Sequence, residues 1–170
     1  MISKKNLVLV GMMGSGKSTI GKILARRLNY NFIDTDRVIE NIEKTSIKKI
    51  FETRGEKYFR SVEEKLVINC LKDQSQVIAL GGGSFLNLKV RNSVLRKNIS
   101  IWLNWSNERL IKRIIKNDKR PLIKDLSRND LHNMIETRST TYRMANYKID
   151  CDKLTKSEII KKILNIYKNE

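Results

Sequence analysis

The chain has 170 residues and a formal net charge of +17, from 35 Lys and Arg against 18 Asp and Glu. That length fits one domain with a sizeable buried core, and no apolar run reaches the length of a membrane span. The charge favours anionic ligands, but the lysines are spread along the chain with few aromatics among them, so neither a nucleic-acid nor a membrane partner is expected.

The first element is the apolar run Leu7-Val8-Leu9-Val10, which predicts a strand. Gly11-Met12-Met13-Gly14-Ser15-Gly16-Lys17-Ser18 follows it, and Ile20, Ile23, Leu24 and Leu28 then recur at helical spacing. This is Gly-x-x-x-x-Gly-Lys-Ser between a strand and a helix, the pattern of a polyphosphate cradle. The glycines let backbone N–H groups curl inward, and the helix N-terminus adds partial positive charge. Lys17 is placed to reach the β- and γ-phosphates, and the Ser18 hydroxyl to ligate Mg²⁺.

Phe32-Ile33 predicts the second strand and runs into Asp34-Thr35-Asp36. One of these carboxylates suits Mg²⁺ held through water, the other hydrogen bonds from substrate hydroxyls. Capping of a helix beginning near Arg37 accounts for one of them, not both. Residues 34–71 read as a long, mostly helical insertion. Within it Arg60 has Glu63 and Glu64 at i+3 and i+4, so a plain surface ion pair and a substrate contact are equally open. Val77–Leu80 predicts a third strand, followed by Gly81-Gly82-Gly83. Bare backbone there brings N–H groups, free to donate, close to a ligand. No carboxylate follows this strand, which leaves Asp34 as the candidate for the metal.

Ile99–Leu103 predicts the fourth strand, with Leu110, Ile111, Ile114 and Ile115 on the helix after it. Lys116 to Asn129 is polar and nearly free of apolar periodicity. It reads as a mobile flap that delivers Arg120, just before the only proline, Pro121, to a transferring phosphoryl group. Leu131, Met134 or Ile135, Arg138 and Tyr142 share one helical stripe. A guanidinium in that register needs an anion, either an internal carboxylate or that of a substrate. Tyr147–Ile149 predicts the fifth strand, and Ile159, Ile160, Ile163 and Leu164 the last helix. His132 is assigned no role. Cys70 and Cys151 lack metal spacing and read as free thiols in a reducing, cytoplasmic setting. The alternation of strands and helices predicts an α/β fold, a parallel sheet covered on both faces, with ligands beyond the carboxyl ends of its strands.

In order and spacing, the phosphate loop, Asp34-Thr35-Asp36, Phe59-Arg60 with Glu63-Glu64, Gly81–Gly83, Arg120-Pro121-Leu122 and Arg138 four residues before Tyr142 resemble the shikimate kinase family over nearly the whole chain. The resemblance implies a nucleoside-monophosphate-kinase-like three-layer sandwich with a five-stranded parallel sheet. It implies one domain over residues 1–170, with a substrate-binding helical segment at about 34–71 and a lid at about 116–129. The implied reaction is the ATP- and Mg²⁺-dependent phosphorylation of shikimate at its 3-hydroxyl, on the route to chorismate and aromatic amino acids, by a cytoplasmic monomer. Gly14, Ser15, Gly16, Lys17, Ser18 and Thr19 would bind ATP, with Arg113 against adenine and Arg120 over the phosphates. Lys17, Asp36 and Arg120 would be catalytic, Asp36 orienting or deprotonating the attacking hydroxyl. Asp36, Arg60, Arg138 and the backbone of Gly81, Gly82 and Gly83 would hold shikimate, the arginines chiefly gripping its carboxylate. Ser18, and Asp34 through water, would hold Mg²⁺. Two departures stand against the pattern. Ser139-Thr140-Thr141 lies where the family often has proline, and Cys151-Asp152-Lys153 lacks the usual Thr-Asn-like adenine contact.

Overall fold

Five short strands form where apolar runs predict them: β1 (Leu7–Val10), β2 (Asn31–Asp34), β3 (Gln76–Ala79), β4 (Ile99–Asn104) and β5 (Tyr147–Asp150). The computed structural model describes residues 5–116 and 126–170. All strand pairs are parallel, in the order β2-β3-β1-β4-β5. The connecting helices are α1 (Lys17–Leu28), α2 (Thr35–Glu43), α3 (Ile47–Cys70), α4 (Leu88–Lys97), α5 (Asn107–Ile115), α6 (Arg128–Tyr142) and α7 (Lys156–Lys168), with a 3₁₀ turn at Ser84–Leu86. From β1 the chain steps outward one way to β2, and from β3 it crosses β1 the other way to β4. With right-handed crossovers, that reversal puts α1 and α4 on opposite faces. Accordingly α1 packs against α7, and α4 against α3.

Central position decides burial. β1, β3 and most of β4 are buried along their length. β2 and β5 depart from the expectation of strands buried from both sides. Asn31 is exposed, Phe32, Ile33 and Asp34 are half-buried, and β5 buries only Ile149. Both are edge strands with one neighbour, so one margin faces solvent. β3 begins one residue earlier than its apolar run, at buried Gln76, and Leu80 lies just past its end, still donating to Leu9 O at 3.1 Å. The α1 face that meets the sheet buries Ile20, Leu24 and Ala25. Gly21 lies among them, because a Cβ there would stand 2.5 Å from the Phe32 ring.

The expected helical insertion over 34–71 is α2 and α3, which enclose a small core of Ile39, Ile50 and Phe59. Gly55 interrupts α3 with φ 79°, a left-handed conformation that glycine alone adopts at no steric cost. The α5 stripe is buried at Leu110, Ile111 and Ile114, but Ile115 is 61% exposed. The polar stretch 116–129 does not stay non-helical to its end. Ser127 caps α6, in a reciprocal bond with Asp130, so Arg128 and Asn129 are already helical. Residues 117–125 of that stretch, Arg120, Pro121 and Leu122 among them, lie outside the described residues. Among the described residues no helix is long and apolar enough to cross a membrane.

Candidate active site

The loops after β1, β2, β3 and β4 meet at the carboxyl ends of the strands, as parallel α/β sheets dictate. The loop after β1 turns through left-handed glycines, Gly14 at φ 76° and Gly16 at φ 92°. Gly16 starts α1 with no side-chain cap, and no acidic residue occupies the first turn. The leading amides of α1 are therefore available to an anion. Lys17 is buried and folds back into the loop, its Nζ donating to Gly11 O at 2.7 Å and Met12 O at 2.9 Å. An ammonium at the loop's centre suits a polyphosphate. Thr19 is exposed in the first turn of α1.

Asp34-Thr35-Asp36 divides three tasks. Asp34 caps α2 by accepting from Arg37 N, and its Oδ2 accepts from Ser18 Oγ at 2.6 Å. A hydroxyl and a carboxylate at that separation are hard oxygen donors of the kind Mg²⁺ takes alongside water and phosphate. Among the described residues no group of three or more His, Cys, Asp or Glu gathers to hold a metal. An ion there would thus rely on these two groups, water and the nucleotide. Thr35, fully buried, ties β2 to β3. Its Oγ1 donates to Ala79 O at 3.3 Å and accepts from Gly81 N at 2.9 Å. Asp36 is left facing Gly81, its Oδ1 against the position a Cβ would take.

The glycine triplet matters by what it lacks. None of the three has a positive φ, so close approach rather than backbone freedom requires glycine here. A Cβ on Gly81 would also lie 2.8 Å from Glu63 Oε1. One on Gly83 would lie 2.5 Å from Arg60 Nη1, and one on Gly82 3.7 Å from Arg138 Nη1 and 3.4 Å from Met13 N in the phosphate loop. Asp36, Arg60, Arg138 and the phosphate loop therefore converge on three residues of bare backbone. The expectation that the triplet's N–H groups are free to donate fails at Gly81, whose N–H is held by Thr35.

Arg60 is not a plain surface ion pair. It is bound by Glu63 at 2.8 Å and Glu56 at 3.1 Å, and Glu63 is buried, 2% exposed, where it also accepts from Ser84 Oγ at 2.5 Å. Burial lowers the Arg60 pKa, but the charge and hydrogen bond of Glu63, with Glu56, reverse this and leave it raised. Glu64 turns instead to Asn87 and Lys89. Arg138 is half-buried between buried Ile135 and Tyr142 and makes no ion pair with a described carboxylate. Its Nη1 touches Met12 Sδ at 3.9 Å. Tyr142 donates to the Gly82 carbonyl, so one turn of α6 holds both Arg138 and the triplet. Burial pushes the Tyr142 phenol up to about 12, against the pull of Arg138 and Arg60, so it stays a donor even at alkaline pH.

Arg113, on α5, reaches Gly14 O at 3.4 Å. Among the described residues His132 meets Asn107, away from the site. Cys70 and Cys151 are free and buried. Asp152, in the departing segment, caps α5 by accepting from Ser106 N at 3.0 Å. Sequence reasoning missed Thr35 and Ser84 and did not foresee the burial of Glu63. A cleft of about 930 Å³ at the opposite end of the sheet, lined by Lys5, Lys72, Arg96 and Lys97 among others, contains none of the candidate residues.

A family model described as shikimate kinase matches residues 13–168. The chain is 41% identical over 160 residues to a shikimate kinase of Sulfurihydrogenibium sp., covering 94% of this chain and 96% of that one. The solved structure of a shikimate kinase from Acinetobacter baumannii in complex with shikimate superimposes with a TM-score of 0.90 at 30% identity, covering 97% of this chain and 93% of that one. A deoxyadenosine kinase from M. mycoides, at 16% identity and a TM-score of 0.63, covers 95% of this chain and 98% of that one, and shares the fold alone.

Proposed function

The chain belongs to the shikimate kinase family, its activity is the ATP-dependent phosphorylation of shikimate, and we propose how its residues perform that reaction at the 3-hydroxyl. The observation that carries the reading is the convergence of Asp36, Arg60 and Arg138 on Gly81–Gly83, directly beside the phosphate loop. A carboxylate and two guanidiniums around a shelf of bare backbone match a small ring that carries hydroxyls at one end and a carboxylate at the other.

In this proposal Gly14, Ser15, Gly16, Lys17, Ser18 and Thr19 hold the triphosphate, and Arg113 lies against the base. Arg60 and Arg138 grip the substrate carboxylate. Arg60 comes pre-oriented by Glu63, so little rotamer freedom is lost on binding. Asp36 orients the 3-hydroxyl and takes its proton as the oxygen attacks the γ-phosphorus and the bond to ADP breaks. Lys17 stabilises charge developing on the phosphoryl oxygens, and Arg120 joins it from the lid. Ser18, with Asp34 through water, would hold Mg²⁺. When bound, that ion neutralises charge on the β- and γ-phosphates. We assign this work to one kinase domain, residues 1–170, acting as a cytoplasmic monomer, with segment 34–71 serving the acceptor and a lid at about 116–129.

The test is an ADP-release assay offering shikimate, gluconate and nucleoside monophosphates, each with and without Mg²⁺. The expected result is turnover with shikimate alone, and only with the metal. Preferential turnover of gluconate or of a nucleotide acceptor overturns the assignment.

A further inference from the structure

Trp105 stands one residue past β4 and has no part in the chemistry above. It is 7% exposed, yet it is not merely core filling. The indole Nε1–H donates to Ser15 O, in the phosphate loop, at 2.9 Å. The guanidinium of Arg113 lies over the ring, 3.7 Å from its centroid, and that of Arg109 lies 5.8 Å away. An aliphatic residue would fill the same space without a buried donor that needs a partner.

The hydrogen bond has a consequence for the nucleotide. Ser15 C=O and Gly16 N–H belong to one planar trans peptide and point in opposite directions. Holding the carbonyl outward toward Trp105 turns the Gly16 amide inward, toward the space the loop encloses. The other contact acts at a second point. Stacking on an indole face favours a guanidinium and restrains it. We propose that Trp105 is a positioning residue for the nucleotide, its ring edge setting the Ser15–Gly16 peptide toward the phosphates and its ring face holding Arg113 toward the base. The proposal rests on the reading that the phosphate loop and Arg113 hold ATP. One side chain then ties the two ends of the nucleotide site together.

Two substitutions separate the edge from the face. Trp105→Phe keeps a ring for Arg113 and deletes the donor. The expected result is a rise of about fivefold in the KM for ATP, the worth of one neutral hydrogen bond, with the KM for shikimate changed less than twofold. Inorganic tripolyphosphate, which has no base, should weaken as an inhibitor by the same factor. Trp105→Leu removes the face as well. It should weaken ATP further than Trp105→Phe does, while tripolyphosphate inhibition falls no further. Calorimetric titration with ATP gives the same comparison without turnover, so failure of this proposal is distinguishable from absence of shikimate kinase activity. Wild-type ATP affinity in a folded Trp105→Phe variant overturns the proposal. So does an equal loss toward ATP and shikimate, which would mark a structural role only.

Discussion

Placing a methyl group on Gly83 tests whether Arg60 is held for a substrate. The backbone at Gly83 has φ −99° and ψ −16°, ordinary for any residue, so Gly83→Ala carries no conformational penalty. Its Cβ would lie 2.5 Å from Arg60 Nη1 and 2.8 Å from Cζ and Nη2. Ordinary contact begins near 3.4 Å, so the guanidinium must retreat by about 1 Å. The side-chain end is flexible enough to move, but part of the ion pair with buried Glu63 is lost, so the melting temperature should fall by several degrees while the protein stays folded. The retreat breaks alignment with Glu63 and with any carboxylate the arginine grips. A charge-assisted hydrogen bond contributes about 1.5–3 kcal/mol, which is roughly ten- to hundredfold in affinity. Steady-state kinetics should show the KM for shikimate raised by that factor, with the KM for ATP unchanged. A folded variant with an unaltered KM for shikimate would refute the placement of Arg60 in the acceptor site.

Three further outcomes are expected. Asp34→Asn keeps a side chain that caps α2 and can bond Ser18 but loses the charge, so the Mg²⁺ concentration for half-maximal rate should rise about tenfold. An unchanged metal requirement removes Asp34 from the ion. Gly21→Ala drives a methyl into the Phe32 ring, 2.5 Å away, and should cost about 1–3 kcal/mol in urea unfolding without changing either KM; full stability would mean the ring simply swings aside. The Tyr142 phenol titrates at about 12 in the folded chain, against about 10 unfolded. Between those values the unfolded state binds fewer protons, so stability falls by about 1.4 kcal/mol per pH unit, and it is fully present only below about pH 10. Tyr142→Phe lacks this dependence, so the unfolding free energies of wild type and variant should converge from pH 10 to 12. Parallel curves would contradict it.

The parts legible in the sequence are those whose causes are local. The phosphate loop needs particular glycines, Lys17 and Ser18 within eight residues, between an apolar run and a helical stripe. The strand runs are equally local, and they misled only at β2 and β5, because nothing within four residues records how many neighbours a strand will have. The acceptor half is different. Arg60 with Glu63 reads in sequence as a surface pair at i+3, and only Ser84, 21 residues further along, and the absent side chain of Gly83 turn it into a buried clamp. Trp105 reaches Ser15 across 90 residues, and no local signal marks a tryptophan that donates into a loop. A stripe containing Arg138 and Tyr142 was visible, but not that the tyrosine grips the backbone of Gly82.

The triplet explains why so much of this was hidden. Its function lies in three missing side chains, which leave room for groups from α2, α3, α6 and the phosphate loop to meet. Any Cβ at Gly81 would enter the space of Asp36 and Glu63 together. Those two carboxylates lie within a few ångströms of each other, and Glu63 is nearly out of water. Glu63 is tolerable there because Arg60 and Ser84 supply opposite charge and a donor. The acceptor site is thus organised by electrostatic need around an absence of atoms, and removing Arg60, the cation paired with Glu63, should disturb that carboxylate as much as the substrate.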